Sequence, residues 1–141
     1  MARIYLASSW RNPHQPSLVE QLRNLGHQVY DFRNPPNSSG FAWHDIGLDA
    51  KTCTAVQMRE ALLTNSRAAQ GFSADFAAMR WADTGLLVLP CGRSAHLELG
   101  WMAGAGKRTL ILTRDGEEPE LMALLADRIC ISVDEVIEEL R

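Results

Sequence analysis

Between Thr84 and Leu112 the chain runs through an apolar stretch, a helical stretch and a second apolar stretch, and this order restricts the fold more than any other feature. Thr84-Gly-Leu-Leu-Val-Leu-Pro90 reads as a buried strand. Ser94-Ala-His-Leu-Glu-Leu-Gly-Trp-Met-Ala-Gly-Ala-Gly106 reads as a helix nearly free of charge, and Arg108-Thr-Leu-Ile-Leu112 as the next strand. A strand, a helix and a second strand in that order close as a right-handed parallel crossover, which needs a sheet covered on its faces.

The rest of the chain repeats the alternation. Arg3 to Ala7 reads as a first strand. A helix follows with Leu18, Leu22 and Leu25 on one stripe, Ser17 and Glu20 at capping-box spacing, and Gly26 as its stop. His27 to Phe32 is a second strand. Arg33 to about Thr52 is an irregular region rich in Asn, Pro, Ser and Gly, longer than most connections and therefore a candidate functional loop or lid. Ala55 to Leu63 and Phe72 to Trp81 read as helices. Pro119 to Asp127 suggests a short helix, Arg128 to Ile131 a last strand, and Ser132 with Glu135 the cap of a final helix carrying Val136, Ile137 and Leu140. We expect a single domain over residues 1–141, with a parallel sheet of about five strands and helices on both faces.

Composition narrows the function classes. The formal net charge of −3 supplies no footprint for a nucleic acid polymer or an anionic membrane. No apolar run approaches the length that crosses a bilayer. Cys53, Cys91 and Cys130 are odd in number and widely spaced, neither a disulfide framework nor a metal knuckle. With an N-terminus that runs directly into a strand, these features make a cytoplasmic protein the expectation.

Glu98 stands out chemically. It falls in the first turn or so of the apolar helix, near the carboxyl end of a strand, where open α/β sheets bind ligands. Apolar neighbours strip a carboxylate of water while a helix N-terminus favours its ionised form, a balance suited to a nucleophile or general base. The alternative is a surface glutamate on a helix whose other faces are buried. Asp75 borders an apolar stripe with Phe72 and Met79, so it is a candidate second acid; its alternative is a helix-start aspartate bonding free N–H groups. Asp83 fits a turn or cap better than catalysis.

The loop leaving the first strand, Ser8-Ser-Trp-Arg11, carries groups that suit a phosphate: two hydroxyls and the planar fork of Arg11. Ser9 and Arg11 stand in no glycine pattern of a Walker or dinucleotide loop. Trp10 is a candidate to stack on a base, with core packing as the alternative. Ser94 is the expected N-cap of the Glu98 helix, an end that suits an anion. His44, in the long loop, is either a lid contact or a solvated side chain. His96 lies about 200° round the helix from Glu98, too far for pairing. The histidines lack metal-binding spacing, so neither a metal nor another cofactor is expected. Cys91 lacks an evident base.

Taken together, the segments resemble the nucleoside 2-deoxyribosyltransferases and related nucleotide N-glycosidases. The residues that carry the likeness are Ile4-Tyr-Leu-Ala7, Ser9-Trp-Arg11, Asp75 in Ala-Asp-Phe, Trp81-Ala-Asp83, Leu97-Glu-Leu-Gly-Trp101 and Gly106-Lys107. The resemblance implies a flavodoxin-like fold in which Glu98 attacks the anomeric carbon, Asp75 positions or protonates the departing base and Tyr5 orients the nucleophile. It also implies Ser9, Arg11 and Ser94 as 5′-phosphate contacts and assembly as a homo-oligomer. Deoxyribosyltransferases carry another acid six positions before the nucleophile, and here that position is Gly92. Arg93 beside it favours an anionic substrate. The family often completes its site with a residue of a neighbouring subunit, and no such residue is matched here. Gly100 and Gly104 permit close helix packing, either between subunits or of helix on sheet. The expected function is N-glycosidic cleavage or base exchange on a nucleoside or nucleoside 5′-monophosphate. The alternatives are a glycohydrolase of NAD or a modified nucleotide, and a nucleotide-binding sensor without turnover.

Overall fold

A computed structural model describes residues 1–141. The chain divides into two compact units, one made of Met1–Asp31 with Ala78–Arg141 and the other of Phe32–Ala77.

The first unit begins with β1 (Arg3–Ala7), α1 (Gln15–Asn24) and β2 (Gln28–Asp31). Pro16 stands in the first turn of α1, where its missing N–H is not needed. The expected Ser17–Glu20 capping box does not form. The helix has already begun at Gln15, and Ser17 Oγ donates to the His14 carbonyl at 3.0 Å. Leu18 and Leu22 are buried as expected, whereas Leu25 falls past the last helical residue and is exposed. Gly26 follows at φ 89°, the left-handed conformation that stops a helix.

The unit resumes with β3 (Thr84–Val88), α4 (Arg93–Gly104), β4 (Arg108–Leu112), a 3-10 helix (Leu121–Leu125), β5 (Arg128–Cys130) and α5 (Val133–Glu139). The short helix expected at 119–127 is thus five residues of 3-10 helix, and none of them is buried. Ser132 caps α5 as expected, its Oγ accepting from the Glu135 N–H at 3.2 Å.

All five strands are parallel, in the order β2-β1-β3-β4-β5. Side chains alternate across each strand, so each face has its own core. Ile4, Leu6, Val29, Leu86, Val88, Leu110 and Leu112 pack with Leu18 and Leu22 of α1 and with Val136 and Leu140 at α5. Each such leucine or isoleucine contributes about 1.5–3 kcal/mol by leaving water. The opposite face lies under α4. A Cβ added to Gly85 there would meet Met102 Sδ at 2.9 Å and Leu99 Cδ1 at 3.2 Å, so glycine is what lets α4 approach β3. Helices therefore cover both faces of a doubly wound, flavodoxin-like sheet. Successive crossovers leave β1 and β3 in opposite directions, which opens a crevice beyond their carboxyl ends.

The second unit holds a 3-10 helix (Trp43–Ile46), α2 (Ala55–Thr64) and most of α3 (Ser66–Trp81). Thr54 and Gln57 cap α2 reciprocally, at 3.2 and 2.9 Å. Asn65 Oδ1 accepts from the N–H groups of Arg67 (2.9 Å) and Ala68 (3.2 Å), so α3 starts well before Phe72, where the sequence suggested. Phe41 rests on α3 at Gly71, where an added Cβ would lie 2.8 Å from Phe41 Cβ.

Candidate active site

Two chain segments border the crevice of the first unit, the loop after β1 and the loop joining β3 to α4. They are tied together by a residue the sequence did not single out. Asn12 is 1% exposed, and its Nδ2 donates towards Ser8 Oγ at 3.0 Å, the Val88 carbonyl at 3.2 Å and the Pro90 carbonyl at 3.3 Å. Its Oδ1 accepts from the His14 N–H at 2.9 Å, an Asx turn leading into α1. The Asn12-Pro13 dipeptide, a turn-initiating pair, was the available signal.

Ser8 serves the same clamp. Its hydroxyl donates to the Val88 carbonyl at 2.9 Å, so its single proton is committed to the scaffold and none remains for an anion. Ser9 Oγ accepts from the Arg11 N–H at 3.2 Å. Arg11 is exposed, and so is Trp10, at 48%; core packing is therefore not the role of Trp10.

Tyr5 is 1% exposed on the α4 side of the sheet, level with Gly85 in the register. Its ring stacks on Tyr30 of β2, centroids 5.4 Å apart and planes 12° from parallel. Glu98 is half-buried in α4, three residues after buried Ala95 and four before buried Met102, so it flanks the stripe that packs on the sheet.

The N-cap of α4 is Gly92, not Ser94, and no side chain caps the helix. Helical geometry already holds at Arg93, which places Ser94 inside the first turn; both are exposed. Beside them, His96 Nδ1 lies 2.8 Å from the Gly92 carbonyl and 3.7 Å from Cys91 Sγ. A carbonyl only accepts, so the neutral imidazole carries its proton on Nδ1. Burial, with the charges of Glu98 and then Glu117, pushes the Cys91 thiol up from 9.0 to about 12. A thiol so placed stays protonated at neutral pH and is no nucleophile.

Asp83 belongs to the opposite end of the strands, just before β3. It accepts from the Arg3 N–H and from Thr84 Oγ1, both at 3.0 Å, and pairs with Arg3 Nε at 3.3 Å. That is the structural role expected of it. A depression of about 420 Å3 near Lys107, Thr109 and Asp127 also lies at the amino end of β4, away from Glu98. Its polar groups are used internally: Asp127 Oδ2 accepts from the Thr109 N–H at 2.8 Å, and Lys107 Nζ donates to the carbonyls of Arg80 and Ala82.

In the second unit, Asp75 is half-buried in the interior of α3, which rules out a helix-start role. His44 is exposed and sits 3.3 Å from Asp45 Oδ1. No group of three His, Cys, Asp or Glu residues is placed to hold a metal ion, and no helix is long and apolar enough to cross a membrane.

Strand order, crossovers and the crevice between β1 and β3 define a flavodoxin-like α/β protein. Its fold is shared with a solved 2-deoxyribosyltransferase and a solved CMP N-glycosidase. A 2-deoxyribosyltransferase from Bacillus psychrosaccharolyticus matches with a TM-score of 0.61 at 21% identity, over 94% of this chain and 88% of that one. The CMP N-glycosidase BcmB of Clostridium botulinum matches at 0.56 and 15% identity, over 97% and 96% of the two chains. A conserved protein from Enterococcus faecalis matches at 0.64 and 18% identity, over 99% and 97%. At these identities the likeness is one of fold. No family model and no curated protein sequence matches the chain.

Proposed function

We propose that this protein cleaves the N-glycosidic bond of a nucleoside or nucleoside 5′-monophosphate, passing the sugar to water or to a second base. One observation carries the proposal: a half-buried carboxylate, Glu98, in the helix that follows β3 at the crevice of a fold shared with a 2-deoxyribosyltransferase and a CMP N-glycosidase.

Glu98 attacks C1′ as the C1′–N bond breaks and the bonding pair leaves with the base. A covalent glycosyl ester forms, and the departing base takes up a proton with the help of Asp75. Water or another base then attacks C1′ and frees Glu98, the retaining logic of glycosidases with a nucleobase as leaving group. Tyr5 orients the nucleophile. Ser9, Arg11, Arg93 and Ser94 receive a 5′-phosphate, Trp10 stacks on the base and His44 contacts the ligand from the long loop. We assign all 141 residues to one functional domain that needs no cofactor and works in the cytoplasm on a small-molecule substrate.

A homo-oligomer is part of the proposal. Leu97 and Trp101 lie on the outer side of α4, 75% and 37% exposed. Nothing lies within 4 Å of a Cβ built at Gly100 or Gly104, so these glycines do not serve helix-on-sheet packing and leave a flat surface for a second copy.

The test is incubation with nucleosides, nucleoside monophosphates and NAD, with free base read by chromatography. Base release that disappears in Glu98→Gln, with a sugar adduct on the wild-type protein by intact mass, is the expected outcome. Undiminished release in that variant refutes the nucleophile. Nicotinamide release from NAD alone identifies the glycohydrolase alternative, and tight binding without release identifies a sensor.

A further inference from the structure

Right-handed crossovers that step across a parallel sheet in one direction lie on one of its faces. α4 joins β3 to β4, and the 3-10 helix Leu121–Leu125 joins β4 to β5, so both stand on the same side. They cover it unequally. Ile111 of β4 is buried, whereas its registered partner on β5, Ile129, lies open. Five residues of 3-10 helix, none of them buried, take the place of a full helix at the edge of the sheet.

Leu121, Met122, Leu124 and Leu125, with Ile129 and Ile131, are each between 42% and 80% exposed. Together they present roughly 700 Å2, more than the about 300–600 Å2 of the largest apolar patch on a typical monomer and close to the about 800 Å2 that each partner gives a stable interface. Leu125 borders the same depression as Ala103 of α4. Ala103 stands about 140° round that helix from Glu98, so this surface is apart from the crevice. The sheet edge itself is blunted: β5 has three residues, and the Ile131 N–H donates to Glu135 Oε2 at 2.8 Å. Contact on this side is therefore made through side chains.

Charge is divided along the strand axis. The chain leaves the carboxyl end of β4 through Glu117, Glu118 and Glu120, with Arg114 offset in charge by Asp115. It returns at the amino end of β5 with Arg128, at the same end of the sheet as Arg108. These two arginines share one carboxylate, Glu139, at 2.8 and 3.2 Å, which leaves that end with positive charge in excess; Lys107 offsets Asp127. A twofold axis through the apolar strip sets the acidic end of one copy over the basic end of the other. The surface is complementary to itself.

We propose that the 3-10 helix and β5 form an isologous interface with a second copy of this chain, apolar strip against apolar strip, the glutamates of each copy facing Arg108 and Arg128 of the other. The interface does not depend on the N-glycosidic function, nor on the outer side of α4 that presents Leu97 and Trp101.

Analytical ultracentrifugation of the full chain over a dilution series tests it. Wild type should sediment as a dimer or a multiple of one. Leu121→Glu combined with Leu124→Glu should weaken the contact on the order of 100-fold or more, as the loss of two apolar anchors does. Both side chains are exposed within one copy, so circular dichroism should still report a folded chain. A monomeric wild type would overturn the proposal, because the occupant would then be a different protein. Assembly that survives this double substitution but is lost in Leu97→Glu would also overturn it, placing the contact on α4.

Charge reversal supplies a measurement that leaves the apolar strip intact. Glu118→Lys with Glu120→Lys, and separately Arg128→Glu, should each weaken self-association, and mixing the two proteins should restore a complex with one copy of each. Undiminished self-association of both, or no recovery on mixing, would reject the twofold arrangement. Catalysis has no part in either readout, so failure of the enzymatic function leaves this result standing.

Discussion

Asn12 Nδ2 and the Val88 carbonyl lie 3.2 Å apart, and through this contact the loop leaving β1 is held against the carboxyl end of β3. The two sides of the crevice therefore keep their spacing through this buried amide together with the Ser8 hydroxyl. Asn12→Ala removes the donor to the Pro90 carbonyl, one of the two donors to the Val88 carbonyl and the acceptor for the His14 N–H. Leaving such buried groups unpaired costs about 1–3 kcal/mol. Urea unfolding should show that loss, and base release should fall with it, because the loop bearing Ser9 and Arg11 loses its anchor. Full activity at unchanged stability would mean the clamp is dispensable.

The Glu98 carboxylate helps to keep Cys91 protonated, after burial and ahead of Glu117. An anion nearby disfavours a thiolate, so neutralising Glu98 must lower the thiol pKa. In a Cys53→Ser background, Glu98→Gln should bring Cys91 alkylation to lower pH than in the Glu98 protein. Burial persists, so the value stays above the ordinary 9.0. An identical pH profile in both proteins would place the Glu98 charge away from this corner.

Burial works to raise the pKa of Asp83, but bonds from Thr84 and the Arg3 backbone, with the Arg3 guanidinium, outweigh it and hold the carboxyl below its ordinary 3.8. A depressed folded-state pKa contributes stability that is fully present above 3.8 and lost as pH falls through the folded value. The stability difference between wild type and Asp83→Asn should stay constant from neutral pH down to about 5, then close in acid. A difference that grew on acidification would contradict the assignment.

Gly85 and Gly100 should respond in opposite directions. Gly85→Ala presses a methyl group into Met102 and Leu99 beneath α4 and should cost about 1–3 kcal/mol. Gly100→Ala meets nothing within 4 Å inside a helix and should stabilise the fold by roughly 0.5–1 kcal/mol. Thermal unfolding of the two variants reads both signs. If α4 meets a second copy, Gly100→Ala should also weaken assembly, visible as a lower mass at dilution.

The strands were legible because a strand buried on both faces is a nearly unbroken apolar run, as in Leu86-Leu-Val88 and Leu110-Ile-Leu112. Helix starts were less so. Ser17 and Ser94 look like caps in sequence, yet Pro16 starts α1 earlier and Gly92 precedes α4, because backbone angles rather than a nearby hydroxyl decide where a helix begins. The start of α3 hid behind Thr64-Asn65, a cap between two adjoining helices. Leu25, Leu121, Met122, Leu124 and Leu125 are apolar but exposed, a distinction that no periodicity contains.

By itself, the sequence determined the order of strands and helices and the parallel sheet, because these follow from local periodicity. Tertiary structure alone decided which polar groups remain to be satisfied. Ser8 is spent on Val88, Asn12 holds the crevice loops together, and Thr113 and Arg114 keep buried atoms without partners. Hydrogen bonds reach across residues far apart in the chain, so the vacancy of a donor is a property of the folded neighbourhood, which composition and spacing do not encode.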